Sequence, residues 1–216
     1  MLCVFDLDGT IIDSKEAILN SAIRTLEKFG ISNAIKQDIL DSVGLPISYA
    51  FAKFLSGDAL ESAVRNFRVD LAETGSSTTY LYEDTMTSLM ELQQMGVTLA
   101  IATNKHEPLA REVLKQKGIE SFFGEVQGAD SSPAKPSPEM LLKLKLIFPE
   151  MELYVMVGDR GEDMMAAKSA GYLGYFIDHG TVPRDSLQPD PHVRLISTLR
   201  EITFCLQKDW KNQRGK

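Results

Sequence analysis

The spacing of apolar positions predicts short strands that alternate with helices along most of the chain. Apolar runs typical of buried strands occur at Leu2–Phe5, 97–102, 123–126, 153–157 and 175–177. Segments with helical spacing lie between them at 85–95, 107–117 and 163–170, and another opens at 137. We expect Ser137 to cap that last helix, with Pro138 in its first position. Strands that alternate with helices are typical of a parallel sheet covered on both faces.

Residues 13–79 depart from this rhythm because they contain helical patterns alone. The first helix is predicted over 13–29, with Asp13 as its cap, Glu16 completing a capping box and Gly30 ending it. Further helical segments are predicted at 36–42, 48–55 and 58–73. The small polar residues 75–79 are typical of a linker. We therefore expect a core of residues 1–13 and 80–216 and an inserted helical domain of residues 14–79.

Length and composition indicate an ordinary globular protein with a sizeable core. The 216 residues are 44% hydrophobic and 25% charged, which suits one domain that carries a smaller insertion. The net charge of −7 argues against nucleic acid as a partner. No apolar run approaches the ~18 residues that a membrane span needs, so no membrane partner is expected.

The cytoplasm is the expected location. The chain enters its first predicted strand at once, which leaves no room for a signal peptide. Cys3 and Cys205 are far apart and show no metal-ligand spacing, so we expect two buried free thiols in a reducing compartment. The expected assembly is a monomer or a homodimer.

Polar residues gather at the points where predicted strands end. The clusters are Asp6 and Asp8, Thr103-Asn104-Lys105, Lys135 in a loop rich in Ser and Pro, and Asp159 with Asp163. Each has a simpler explanation by itself: Thr103 as a helix cap, Lys135 as a solvated lysine, the later aspartates as turn and helix-start residues. Together the clusters favour a functional site, because chance alone would not place all of them at strand ends in this order.

Together these residue types suit a phosphoryl-transfer site. Asp6 and Asp8 would lie close together, and like charges hinder each other's ionisation unless a cation sits between them. Mg²⁺ binds one or two carboxylates together with phosphate oxygens. A hydroxyl and an ammonium suit phosphate oxygens, and we expect Lys135 to be the only permanent positive charge at this rim. One carboxylate can act as a nucleophile, while a second carboxylic acid protonates the leaving oxygen and then activates water.

In these motifs and in their order the chain resembles the haloacid dehalogenase superfamily of phosphatases, in its phosphoglycolate-phosphatase-like branch. The resemblance covers about residues 1–205. The matching segments are Asp6-Leu7-Asp8-Gly9-Thr10, Thr103-Asn104-Lys105, Lys135-Pro136 with Pro138-Glu139, and Gly158-Asp159 with Asp163. The fold that it implies is α/β, a Rossmann-like three-layer sandwich with a central parallel sheet and an inserted helical cap domain.

The resemblance also implies roles for single residues. The implied catalytic residues are Asp6 as nucleophile, Asp8 as general acid/base, Thr103 and Lys135. One Mg²⁺ would be bound by Asp6, by the main-chain oxygen of Asp8 and by Asp159, with Asp163 beside these ligands. Asn104 and Gly44 would bind substrate, a small phosphorylated metabolite.

Several functions stay open. Phosphoglycolate represents the favoured substrate class, and inorganic pyrophosphate or a nucleotide or sugar phosphate are alternatives. The loop Val43-Gly44-Leu45-Pro46-Ile47 lacks the basic residues with which related mutases grip a second phosphate, which favours a hydrolase. A catalytically silent phosphate-binding or regulatory module is the alternative of another class. Arg160-Gly161 departs from the family pattern, in which a small hydroxyl residue commonly follows the acid.

Overall fold

The computed structural model describes residues 1–32, 36–179 and 190–214, which fold around a central sheet. The strands are β1 (Leu2–Phe5), β2 (Ile12–Asp13), β3 (Tyr80–Leu81), β4 (Thr98–Ala102), β5 (Phe123–Gln127), β6 (Tyr154–Gly158), β7 (Leu173–Ile177) and β8 (Val193–Ile196). A six-stranded parallel sheet has the order β5-β4-β1-β6-β7-β8. The first strand of the sequence is therefore central, between β4 and β6. The predicted α/β class with a central parallel sheet is confirmed.

Helices cover both faces of this sheet. The helices are α1 (Lys15–Lys28), α2 (Lys36–Leu40), α3 (Ile47–Phe51), α4 (Gly57–Thr74), α5 (Thr85–Gln94), α6 (Glu107–Gln116), α7 (Glu139–Ile147), α8 (Gly161–Ala170) and α9 (Glu201–Arg214). Helices α5 to α9 pack against the sheet. Successive side chains of a strand point to opposite faces. Cys3 and Phe5 accordingly share a core with α5, α6 and α9, whereas Leu2 and Val4 share one with α7 and α8. The result is a three-layer sandwich.

Helices α1 to α4 lie between β2 and β3 and have a hydrophobic core of their own. Its buried members come from all four helices and include Leu26, Ile39, Phe51 and Phe67. Strands β2 and β3 pair antiparallel, Ile12 with Leu81 and Asp13 with Tyr80. The helical segment thus begins and ends at this separate two-stranded sheet. A separate cap domain with the bounds 14–79 stays a prediction.

The start of α1 differs from the prediction. The helix begins at Lys15 with Ser14 in the N-cap position, and the N–H of Lys15 donates to the Asp13 carboxylate at 3.2 Å. Because Ser14 takes the N-cap position, Asp13 lies one residue before it in β2, and Glu16 is the second residue of the helix where a capping box needs the third. The predicted capping box of Asp13 and Glu16 is therefore wrong.

The other corrections concern α7 and the short strands. Helix α7 begins at Glu139 with Pro138 in the N-cap position, so Ser137 does not cap it. Strands β2 and β3 have two residues each, too few to show an alternating pattern. Strand β8 carries Arg194 among apolar residues and was also not predicted. All three strands form because they pair with segments that are distant in the sequence, and the local pattern does not show such pairing.

The described residues include both cysteines and the helices that bear on the expectation about membrane spans. Cys3 is fully buried in β1 and Cys205 is only partly buried in α9, and both are free. The prediction of a buried thiol is therefore confirmed at Cys3 and wrong at Cys205. Across the described ranges, none of the helices has the length and the hydropathy to cross a bilayer.

Candidate active site

The predicted polar clusters meet at the carboxyl ends of three neighbouring strands. Asp6 and Asp8 follow β1, Thr103 follows β4, and Asp159 follows β6. Parallel strands present their carboxyl ends at one edge, which is where α/β sheets bind ligands. Lys135 reaches the same place from the loop before α7.

Lys135 is the buried centre of this site. Its Nζ lies 2.8 Å from Asp6 Oδ1 and 2.6 Å from Asp163 Oδ1, and it donates to the carbonyl oxygen of Ala102 at 2.7 Å. Only 1% of the side chain is exposed. Burial lowers the pKa of Lys135, but the Asp163 and Asp6 carboxylates outweigh it and hold the pKa above its usual value. The ammonium therefore stays charged.

Three carboxylates surround a small volume beside Lys135. Asp6, Asp159 and Asp163 each offer an oxygen, and these atoms lie within 4.8 Å of one another. Burial raises the pKa of Asp6 to about 6, with the charge of Asp163 adding to the shift. Burial and the charge of Asp6 raise the pKa of Asp159 to about 6. One lysine does not neutralise three carboxylates.

This cluster fits a hard divalent cation. The buried Asp6 Oδ1 accepts no hydrogen bond of good geometry within the described residues, although Lys135 forms an ion pair with it. A buried oxygen whose ion-pair partner Lys135 is shared with Asp163, in a set of carboxylates alone, is the kind of ligand that Mg²⁺ takes. Asp6 and Asp159 belong to the predicted ligand set.

Small residues of the first motif support Asp159. The Thr10 hydroxyl donates to Asp159 Oδ1 at 3.0 Å. Gly9 has φ +89°, and a Cβ there would run into the Asp159 carboxylate. Glycine therefore allows the backbone after β1 to approach the acid that follows β6.

Asp8 lies outside this carboxylate cluster and has partners of its own. Lys105 Nζ lies 2.9 Å from both of its carboxylate oxygens, and the Ser14 hydroxyl donates to Oδ1 at 2.5 Å. Both side chains of the ion pair are more than nine-tenths buried. The expectation that Lys135 is the only cation at this rim is therefore wrong. Lys105 was within reach of sequence reasoning, because it follows Thr103 and Asn104 directly.

Thr103 and Asn104 hold the backbone around the site. Thr103 is buried, its N–H donates to Gln127 O at 3.0 Å, and its hydroxyl oxygen accepts from the N–H of Lys105 at 3.2 Å. Asn104 Oδ1 accepts from the N–H of Lys135 at 2.7 Å, and its Nδ2 donates to the carbonyls of Lys135 and Gly44 at 3.2 and 3.1 Å. Asn104 thus fixes the main chain of Lys135, and its contact with substrate stays a prediction.

The loop at Gly44 reaches the core through two side chains. Besides the bond from Asn104, Arg160 donates from its guanidinium to the carbonyl of Val43 at 2.7 Å. Gly44 has φ +88°, and a Cβ there would lie 2.5 Å from Cδ of Arg160. The N–H of Arg160 donates to Asp163 Oδ2 at 3.0 Å. The residue that departs from the family pattern therefore links the helical segment to the acidic cluster.

The sequence profile of haloacid dehalogenase-like hydrolases matches residues 3–173. The chain belongs to this family. It is 33% identical over 219 residues to the phosphoglycolate phosphatase of Vibrio cholerae, covering 94% of this chain and 96% of that protein. It is also 31% identical over 207 residues to the tyrosine-protein kinase PtkA of Mycobacterium tuberculosis, covering 93% and 71%. A haloacid dehalogenase-like family hydrolase of Streptococcus pneumoniae has the same fold, with a TM-score of 0.80 at 26% identity, covering 95% and 97%.

These likenesses confirm the predicted superfamily, its fold and the enzyme class, a phosphoric monoester hydrolase. In this haloacid dehalogenase-like hydrolase a cavity of about 240 Å³ lies between the helical segment and the core. Asp8, Thr103 and Lys105 line its core side, and Gly44 lines the opposite side. The cavity therefore opens directly onto the carboxylate that is held apart from the acidic cluster.

Proposed function

We propose that this hydrolase is a Mg²⁺-dependent phosphatase that hydrolyses a small, phosphoglycolate-like monoester through an aspartyl-phosphate intermediate. One observation carries the proposal: two neighbouring aspartates have separate environments. Asp6 lies in the buried acidic cluster beside Lys135, whereas Asp8 faces the cavity with Lys105 and Ser14. A nucleophile and a general acid need this kind of separation.

Asp6 is the proposed nucleophile. Its carboxylate oxygen attacks phosphorus while the bond to the leaving oxygen breaks, and Lys135 offsets the charge of the buried reactants. Thr103 and Lys135 complete the proposed catalytic set with the two aspartates. Bound Mg²⁺ would offset negative charge on the phosphoryl oxygens.

The proposed metal ligands are Asp6, the main-chain oxygen of Asp8, and Asp159. Both oxygens of Asp163 already have partners, Lys135 at 2.6 Å and the N–H of Arg160 at 3.0 Å. This supports a place for Asp163 beside the ligands, where it orients Lys135.

Asp8 is the proposed general acid and base. In the first half-reaction its proton goes to the leaving oxygen, which departs as an alcohol. In the second half-reaction its carboxylate takes a proton from water, and the resulting attack on phosphorus breaks the bond to Asp6. Lys105 and Ser14 hold the carboxylate towards the cavity in the absence of substrate.

The size and position of the cavity support a small leaving group. A volume of about 240 Å³ beside Asp8 suits a compact alcohol. Inorganic pyrophosphate and nucleotide or sugar phosphates stay as alternatives, as does a silent phosphate-binding module. We further propose that residues 14–79 act as a cap and that the enzyme works in the cytoplasm as a monomer or homodimer.

A panel of phosphomonoesters tests this function. We expect hydrolysis of p-nitrophenyl phosphate and of short monoesters with Mg²⁺, and its loss in excess EDTA. Ranking the panel by kcat/KM identifies the substrate class. Absence of phosphate release from every ester, with a correctly folded protein and Mg²⁺ present, would favour the silent module. Full activity in EDTA would contradict the metal dependence.

A further inference from the structure

Helix α4 presents an unusual residue to the cavity. Val64, Phe67, Arg68 and Leu71 line it at the i, i+3, i+4 and i+7 spacing of one helix face. Phe67 and Leu71 are buried members of the hydrophobic core of the helical segment. Arg68 is thus a charged residue on an inward, otherwise apolar face. An arginine in such a place ordinarily has a partner.

No carboxylate within the described ranges forms an ion pair with Arg68, and no hydrogen bond of its guanidinium is found there. The other charged groups that line the cavity are already engaged. Lys105 pairs with Asp8, and the Asp130 carboxylate accepts from the N–H of Glu107 at 2.7 Å. Arg68 is therefore the cation of the cavity lining whose charge no described carboxylate balances.

Arg68 and His106 line the same cavity, Arg68 from α4 and His106 from the loop before α6. His106 lies on the core side of the cavity, and burial together with the positive charge of Arg68 lowers the pKa of its imidazole. The charge of Arg68 is thus felt on the wall opposite its own helix. A ligand that extends from Asp8 into the cavity would meet this guanidinium.

We propose that Arg68 is a specificity-determining residue that binds a second oxyanion, a carboxylate or a phosphate, on the leaving group of the substrate. This rests on the proposed phosphatase function. The guanidinium fork matches the oxygens of either anion in two parallel hydrogen bonds. Preferred substrates would then be phosphomonoesters whose alcohol carries a further negative group, rather than neutral alcohols.

Matched substrates and matched variants test this subsite. The substrates are 2-phosphoglycolate, its neutral analogue 2-hydroxyethyl phosphate, and a sugar bisphosphate. The variants are Arg68→Gln, which removes the charge, Arg68→Lys, which retains it, and the control Arg65→Gln. Arg65 lies on the same helix but is exposed, with 64% of its side chain accessible.

We expect Arg68→Gln to lower kcat/KM for an anionic substrate about 10- to 100-fold, as for the loss of a charge-assisted hydrogen bond. The neutral ester should stay within about twofold, Arg68→Lys should recover part of the loss, and Arg65→Gln should change neither. If kcat/KM falls more for 2-phosphoglycolate, the ligand of Arg68 is a carboxylate, and if it falls more for the sugar bisphosphate, the ligand is a phosphate. Equal losses for all three esters, or none, would overturn the proposal.

A binding experiment separates this proposal from the proposed function. In the Asp6→Asn background, which is expected not to turn substrate over, calorimetry compares the three esters with inorganic phosphate. Adding Arg68→Gln should weaken the binding of an anionic ester about tenfold and change the affinity for inorganic phosphate by no more than about twofold. Selective binding without hydrolysis by the wild type would retain the subsite and refute the phosphatase. Hydrolysis with no selective loss at Arg68 would do the reverse.

Discussion

Two aspartates that are one residue apart in the first motif have different surroundings. The Asp6 carboxylate is buried beside Lys135, and Asp8 is held by Lys105 and Ser14. We expect Asp6→Asn to abolish turnover, because the variant lacks the proposed nucleophile. Asp8→Asn should lower kcat by roughly 10²–10⁴ through the loss of proton transfer.

The first-step defect of Asp8→Asn should shrink with p-nitrophenyl phosphate, whose leaving group needs little protonation, and phosphoenzyme should accumulate. Acid-quenched single-turnover reactions measure both steps. Phosphoenzyme formed by Asp6→Asn would contradict the assignment of the nucleophile.

Lys105 balances a buried carboxylate, so its removal should affect stability as well as turnover. Lys105→Met leaves Asp8 buried without its cation, and breaking a buried pair lowers the free energy of unfolding by about 3–5 kcal/mol. In the double variant Lys105→Met/Asp8→Asn the loss should be smaller than the sum of the single losses. Urea denaturation measures all of them, with the exposed Lys115→Met as control. Strictly additive losses would show that the pair does not act as a unit.

Among the elements, the loop between α2 and α3 is tied to the core through Gly44. Gly44→Val places a Cβ against Arg160, which donates to Val43 and is hydrogen-bonded to Asp163 through its N–H. We expect kcat/KM to change to different extents for substrates of different size, with Mg²⁺ affinity nearly unchanged. Kinetics over the ester panel, with metal titrations, measure this.

Gly30→Val is the matched control for Gly44→Val. Gly30 has a similar φ of +76°, but no atom lies within 4 Å of a Cβ built there. It therefore carries the same backbone strain without the collision. A uniform change across all substrates, shared by both variants, would show that the loop does not select substrate.

At the scale of the whole molecule, the acidic cluster makes the free energy of unfolding depend on pH. The pKa values of Asp6 and Asp159 are about 6 in the metal-free fold, above the ordinary value of 3.8. Between about pH 4 and about pH 6 the folded state therefore binds more protons than the unfolded state. As the pH rises through this range, these groups lower the free energy of unfolding.

Mg²⁺ should therefore raise the Tm more at pH 7.5, where both carboxylates are ionised, than at pH 5, where protons compete. Thermal denaturation with Mg²⁺ and with EDTA at both values measures the difference. Equal shifts at both pH values would indicate that the cation binds elsewhere. A matched Asp159→Asn variant should lose most of the Mg²⁺ effect at pH 7.5.

Family membership by itself does not identify the substrate. Relatives of similar identity that cover nearly all of this chain have a phosphatase name in one case and a tyrosine-kinase name in the other. The structure brings Asp6, Lys135 and Asp159 together in the core, and the cavity beside Asp8 is where we expect a substrate to be selected. The ester panel is for this reason more informative than a closer match to either relative.

Local patterns in the sequence were sufficient for the architecture and for most candidate site residues. A strand that is buried on both faces needs a short run of apolar residues. The sheet strands β1, β4, β5, β6 and β7 were therefore predicted, with ends misplaced by up to two residues. Asp6, Lys135 and Asp159 could be named because strand ends of a parallel sheet share one edge. These inferences need only spacing along the chain.

Contacts between distant segments were decided by the tertiary structure alone. The pairing of Asp8 with Lys105 joins residues 97 positions apart, and that of Arg160 with Val43 joins residues 117 apart. The helix cap at Asp13 was predicted from local chemistry and was wrong, because Asp13 pairs with Tyr80 in β2 and the helix begins one residue later, with Ser14 in the N-cap position. Arg68 likewise becomes notable only when its helix face meets the core. Side-chain partners depend on packing between elements, and the local sequence does not encode which elements meet.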